Sequence, residues 1–197
     1  MNTIVVFVEN NDKNSSSTMN RVINCAKKFV LLDCVRKKNF SVPREETYSK
    51  GPCGKPYFKG SPIHFNVSHS GKYWVCAMSV RPVGIDIQQK IEGRNLRAIA
   101  DRFFTTQEAD YLFSEEYRSF YDVWAAKESY VKYTGTGIAN NFDCFSVVWQ
   151  PKKQAYSVDN SCQLRMLHID SDYSCSLCGE GSYVYRIESQ IQATCEQ

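Results

Sequence analysis

An aspartate set between two isoleucines constrains this chain more than any other feature. In Val83 to Gln88, VGIDIQ, the two-residue period of a strand places Ile85 and Ile87 on one face and Asp86 with Gln88 on the other. A carboxylate buried alone in such apolar surroundings is strongly destabilised, so a partner must come to meet it. The stretch Trp124 to Lys132, WAAKESYVK, can bring one. As a helix it carries Trp124, Glu128 and Lys132 on one face, at i, i+4 and i+8.

Laying that helix face on the polar face of the strand gathers two carboxylates, an amide and a lysine. Asp86, Glu128 and Gln88 offer hard oxygen ligands suited to Mg²⁺, which keeps several waters and is usually completed by substrate phosphates. No cysteine or histidine belongs to the set, which disfavours zinc there. Lys132 adds a point charge for a phosphate, so the pattern points to an enzyme acting on a pyrophosphate. Taken singly the residues have plainer readings. Asp86 could pair with an arginine or cap an amide, and Glu128 could form an exposed i,i+4 pair with Lys132 contributing about 0.2–0.5 kcal/mol.

The rest of the chain is read around these two stretches. Ile4 to Val8 is a first strand, followed by a polar turn with Asn10, Asn11, Asp12 and Ser15 to Ser17, then a helix from about Thr18 to Lys38. Ser41 to Pro62 is rich in proline and glycine and forms loops, including GKPYF at Gly54 to Phe58. HFNVSHSG, His64 to Gly71, leads into a buried strand over Tyr73 to Val80, with SHSG read as the turn between them. Helices follow from Leu96 to Tyr133. Thr105 and Glu108 have capping-box spacing, a last helix runs from about Glu115 to Tyr133, and Gly135 stops it.

Five short β segments close the chain: CFSVVW, AYSV, CQLRMLHI, YSCSLC and YVYRI, expected as antiparallel hairpins or a meander. The tail from Gln190 to Gln197 is expected to fray. The order is that of an α+β protein, and its second pass through strand, helices and strands suggests two similar halves. A chain of 197 residues with 43% hydrophobic content can bury the core this requires.

A net charge of +3 is too mild for a nucleic-acid binder, and no apolar stretch reaches transmembrane length. The N-terminal apolar run is too short for a signal segment, which predicts a cytoplasmic protein whose nine cysteines are reduced thiols. Within CSLC, Cys175 and Cys178 would point to opposite faces of a strand, which argues against a chelate. Ser68-His69-Ser70-Gly71 offers hydroxyl, imidazole and backbone donors to an anion, and Lys55 in GKPYF is a charge that could reach a phosphate.

In order and spacing, GKPYF, FNVSHSG, VGIDIQ, RFFTTQE and WAAKESYVKYTGTG resemble the surfactin-synthetase-activating type of 4′-phosphopantetheinyl transferase, from about Gly54 to Val148. The resemblance implies two similar α+β halves related by a pseudo-twofold, with coenzyme A in the cleft between them. It also implies Mg²⁺-dependent transfer of the phosphopantetheine arm to a serine of an apo acyl or peptidyl carrier protein. We divide the chain near Val80, into residues 1–80 and 81–197. By the same resemblance Asp86 and Glu128 match metal-binding acids, with Gln88 beside them where many relatives carry an acid. Lys55, Ser68 and His69 match residues on the nucleotide phosphates, Lys132 matches a lysine on the pyrophosphate, and Arg21 matches a base on the 3′-phosphate. Glu128 is the expected base for the carrier serine. Arg94, Arg97 and Arg102 could form a basic rim for an acidic carrier. The reading from another class is a catalytically silent coenzyme A or nucleotide-binding module.

Overall fold

The computed structural model describes residues 3–11, 17–32, 35, 40–137, 142–150, 155–158, 162–181, 183–188 and 191–196. The strands of its first sheet are β1 (Thr3–Asn10), β4 (His64–Ser70), β5 (Tyr73–Ser79), β11 (Tyr183–Glu188) and β12 (Ile191–Glu196). Those of its second are β6 (Val83–Gln89), β7 (Val148–Gln150), β8 (Ala155–Val158), β9 (Cys162–Leu167) and β10 (Tyr173–Gly179). The first has the order β12-β11-β1-β5-β4 and the second β6-β10-β9-β8-β7. A small separate hairpin, β2 (Tyr48–Lys50) with β3 (Pro56–Phe58), packs Tyr48 and Phe58 against Phe65 of β4.

Alternation along the strands stacks these parts into layers. Val5 and Phe7 of β1 face helix α1 (Thr18–Leu31) and its apolar side, Val22, Ala26 and Phe29. Ile4, Val6 and Val8 face the other way, onto Ile85, Ile87, Cys175 and Leu177 of the second sheet. The far side of that sheet is covered by α4 (Phe120–Thr134), with α2 (Leu96–Phe103) and α3 (Thr106–Ser114) against it. The result is an α+β fold of two sheet-and-helix halves, packed sheet to sheet. Asp86, on the opposite face from Ile85 and Ile87, is thereby turned towards α4.

Several local expectations change. Helix α1 ends at Leu31; residues 33–34 and 36–39, where the sequence suggested continuation, lie outside the described residues, as do 12–16 of the preceding turn. Ser68 to Ser70 belong to β4 itself, and the turn is left to Gly71 and Lys72. Helix α4 starts at Phe120 instead of near Glu115, because Glu116 and Tyr117 take φ values of 53° and 60° that close α3. The predicted meander holds for β7 to β10, but β11 runs parallel to β1, and residues 191–196 of the tail pair with β11 as β12.

The cysteines also depart from expectation. Cys162 of β9 and Cys178 of β10 form a disulfide, so the chain is not uniformly reduced. Cys178 packs with the helix-side core and Cys175 with the inter-sheet core, the opposite faces that their spacing on a strand requires. No helix among the described residues is long and apolar enough to cross a membrane.

Candidate active site

Close contact between α4 and β6 builds the site, and one glycine permits it. A Cβ on Gly84 would lie 2.1 Å from the Ser129 carbonyl oxygen and 2.4 Å from the Tyr133 nitrogen, so no other residue fits there without moving backbone. Ser129 further ties the helix to the sheet through a 3.0 Å hydrogen bond between its Oγ and Ser176 Oγ on β10. At the helix end Gly135 adopts φ 75°, and its N–H donates to the Val131 carbonyl at 2.8 Å.

With the helix so placed, Lys132 Nζ reaches Asp86 Oδ1 at 2.6 Å and donates to Ser68 Oγ at 3.1 Å. Ser68 Oγ donates to Asp86 Oδ1 at 2.7 Å and accepts from the Ile87 N–H at 3.3 Å. Its one donor and two acceptor sites are therefore all used. Gln88 Nε2 donates to the other Asp86 oxygen at 2.8 Å. Asp86, buried to 1% exposure, is fully engaged by this set.

Glu128 is different. It is 7% exposed, faces the same cleft, and receives no hydrogen bond from any described residue. Burial, then the charge of Asp86, push its carboxyl up to about 7, against a smaller opposing effect of Lys132. The cleft, about 400 Å³, is lined by Ser68, His69, Asp86, Gln88, Glu128 and Lys132, with Trp74 and Thr18 at its side. Two acids, one of them the unpartnered Glu128, and the amide oxygen of Gln88 form a donor set that fits a hard divalent cation. No group of three or more His, Cys, Asp or Glu gathers among the described residues, so water and substrate oxygens would have to complete its shell.

Not every candidate converges on this cleft. Lys55 lines a neighbouring cavity, where its ammonium donates to the carbonyls of Tyr133, at 2.9 Å, and Val83, at 3.3 Å. Burial lowers it to about 8. Arg21 turns to Glu9 and the Asn10 carbonyl, at 3.1 and 3.0 Å, and stacks 4.1 Å from the Trp74 ring centroid. Trp74, the ring on which it stacks, lines the cleft. Arg97 and Arg102 stand on α2, where Arg97 lies over the exposed Phe113 and beside Asp101.

Sequence reasoning missed the support beneath the site. Lys127, wholly buried next to Glu128, pairs with Glu108 at 2.9 Å and donates to the Phe145 carbonyl at 2.7 Å. Glu108 completes the expected capping box with Thr105 and also accepts from the Val147 N–H at 2.7 Å. The capping spacing gave Glu108 a role that concealed this second one.

Comparison with known proteins bears directly on the site. Residues 82–178, which carry Asp86, Glu128 and Lys132, match the family described as the 4′-phosphopantetheinyl transferase superfamily. The chain is 32% identical over 159 residues to the 4′-phosphopantetheinyl transferase Sfp of Bacillus subtilis (strain 168), covering 76% of this chain and 70% of that protein. It is 34% identical over 169 residues to the 4′-phosphopantetheinyl transferase gsp of Aneurinibacillus migulanus, covering 79% and 69%. Against another 4′-phosphopantetheinyl transferase of Bacillus subtilis the identity is 35% over 135 residues, 64% of this chain and 59% of the relative. The chain thus spans between 59% and 70% of the length of these relatives.

Proposed function

The chain belongs to the 4′-phosphopantetheinyl transferase superfamily, in its Sfp-type branch, and on that premise we propose that it transfers the 4′-phosphopantetheine of coenzyme A to a serine of an apo acyl or peptidyl carrier protein. The observation that carries this reading is the meeting of Asp86, Lys132 and Ser68 beside the unpartnered Glu128. In the transfer, the serine Oγ bonds to the phosphorus that bears the pantetheine. The bond from that phosphorus to the oxygen bridging it to the nucleotide phosphate breaks, and adenosine 3′,5′-bisphosphate leaves.

The residues divide the work of such a phosphoryl transfer, in which positioning and charge neutralisation dominate. Glu128, facing the cleft without a hydrogen-bond partner among the described residues, takes the serine proton. Lys132 leaves Asp86 for the departing phosphate and neutralises its charge. Ser68 turns its hydroxyl proton from Asp86 to a phosphate oxygen, with His69 beside it in the cleft. Asp86, Glu128 and Gln88 would hold Mg²⁺, whose charge would neutralise the pyrophosphate. Gln88 now gives Asp86 its amide N–H, and its carbonyl oxygen is the atom suited to a cation. Lys55 and Arg21 serve the nucleotide end, and we take the two halves to divide at the turn near Val80, with β11 and β12 returning to complete the first sheet.

The test incubates the protein with coenzyme A, Mg²⁺ and several apo carrier proteins, then seeks the phosphopantetheine adduct by intact mass. The expected result is an adduct on at least one carrier, absent without Mg²⁺. Bound coenzyme A with no adduct on any carrier would instead identify a silent binding module.

A further inference from the structure

Three side chains of β4 hold the edge of β6. Asn66 Oδ1 accepts from the Ile85 N–H at 2.9 Å, Ser68 Oγ from Ile87 at 3.3 Å, and Ser70 Oγ from Gln89 at 2.9 Å. The strands are edges of different sheets. These alternate side chains therefore satisfy N–H groups of β6 that a neighbouring strand's carbonyls would otherwise accept.

Serine suffices at two of the three rungs, so asparagine at the remaining one calls for a separate reason. The Ile85 N–H needs an acceptor, which fixes Oδ1 towards β6 and turns Nδ2 away. That nitrogen carries two N–H donors and meets no acceptor among the described residues, although Asn66 is only 4% exposed. A buried donor left unmet is destabilising. Serine would have avoided that cost.

Asn66 lines a second cavity, about 250 Å³, shared with Lys55, Lys132, Val67 and Gly135. Lys132 and Val67 also line the first cleft, so the two cavities adjoin. The two ammonium groups select an anion. The half-buried Lys55, which meets only backbone carbonyls among the described residues, would gain from one.

Resting on the reading of coenzyme A as substrate, we propose that Asn66 is a substrate-binding residue whose Nδ2 donates to a phosphate oxygen on the nucleotide side of the pyrophosphate. It thereby holds β6 with one atom and the leaving nucleotide with the other. Two variants separate these duties. Asn66→Asp keeps the acceptor for Ile85 and removes both donors. Asn66→Ser adopts the rung already used at positions 68 and 70 but shortens the reach.

Isothermal titration calorimetry then compares adenosine 3′,5′-bisphosphate with 4′-phosphopantetheine, which lacks the nucleotide phosphate. In both variants the bisphosphate Kd should rise on the order of tenfold or more, as expected for a lost hydrogen bond to a charged group, while the 4′-phosphopantetheine Kd changes by less than about twofold. Unchanged bisphosphate affinity would overturn the proposal, and so would an equal loss for both ligands, which marks a displaced β6. If Asn66→Asp does not fold, Asn66→Ser decides alone. A wild-type protein that binds neither coenzyme A nor the bisphosphate would sink the transferase reading itself.

Discussion

Lys132 and Asp86, 46 residues apart, meet at 2.6 Å with unequal exposure: the lysine side chain is 25% exposed and the aspartate 2%. The inequality predicts an asymmetric response to mutation. Asp86→Asn leaves a lysine that can turn to water, and its amide can still bond Ser68 and Gln88, so the stability cost should stay near 1 kcal/mol. Lys132→Met strands a buried carboxylate and should cost about 3 kcal/mol. Urea denaturation at neutral pH measures both, and equal costs would contradict the picture. Neither variant should yield a phosphopantetheine adduct, which intact mass would detect.

Glu128 makes stability depend on pH in an unusual direction. Its folded pKa of about 7 lies above the ordinary carboxylate value of 4.5, so between those values the folded state holds the proton that the unfolded state has lost. Stability from this group is then greatest below pH 4.5 and falls as pH rises through 7. Glu128→Gln removes the penalty. Without divalent cation, the variant should exceed wild type by roughly 1–3 kcal/mol at pH 8. The gain should vanish near pH 4.5. Melting curves across that range test it, and a gain independent of pH would refute the assignment.

The opposed faces of VGIDIQ and of the helix over WAAKESYVK were legible because both depend only on period. Isoleucines at 85 and 87 had to face apolar partners, and the acid between them had to face something polar. The terminal strands were not legible. Whether a segment pairs with its neighbour or crosses to β1 depends on tertiary packing, which no local pattern in YVYRI records. Lys55 shows a different limit. GKPYF marks a turn, but the Tyr133 and Val83 carbonyls that receive its ammonium lie on elements far away in the chain. Arg21 was hidden likewise, since helical periodicity names the buried face without naming Glu9 and Trp74 on it.

Gly84 is predicted to be irreplaceable for geometric reasons. In Gly84→Ala the new methyl meets backbone of Ser129 and Tyr133, which no side-chain rotation relieves. Forcing α4 away from β6 should cost about 3 kcal/mol and separate Lys132 from Asp86. Thermal denaturation gives the stability loss, and the transfer assay should show a matching loss of turnover. A variant with wild-type stability and turnover would show that the helix can move without consequence.

The buried pair beneath the site should be among the most sensitive positions. Lys127→Met leaves Glu108, 2% exposed, without its counter-ion, though Thr105 and the Val147 N–H still donate to it. A cost of about 3–5 kcal/mol is expected, measured by urea denaturation. Lys127→Arg also should not restore it. The site is closed by Phe104, Phe142 and Phe145 within 6 Å of the ammonium, and a forked guanidinium does not fit there.

Stabilisation should be available at the turn between α3 and α4. The N–H of Tyr117 donates to the Leu112 carbonyl at 2.8 Å and that of Glu116 to Phe113 at 3.2 Å, the paired bonds of a Schellman helix end. Glycine usually occupies the left-handed position of this motif, because a Cβ there crowds the carbonyl. Here Glu116 holds it at φ 53°. Glu116→Gly should relieve that crowding, offset in part by the greater freedom of glycine in the unfolded chain, for a net gain of about 0.5–1 kcal/mol. The substitution lies outside the cleft, so transfer should be unchanged while the denaturation midpoint rises. A lower midpoint would mean that the Glu116 side chain contributes more to this turn than its backbone costs.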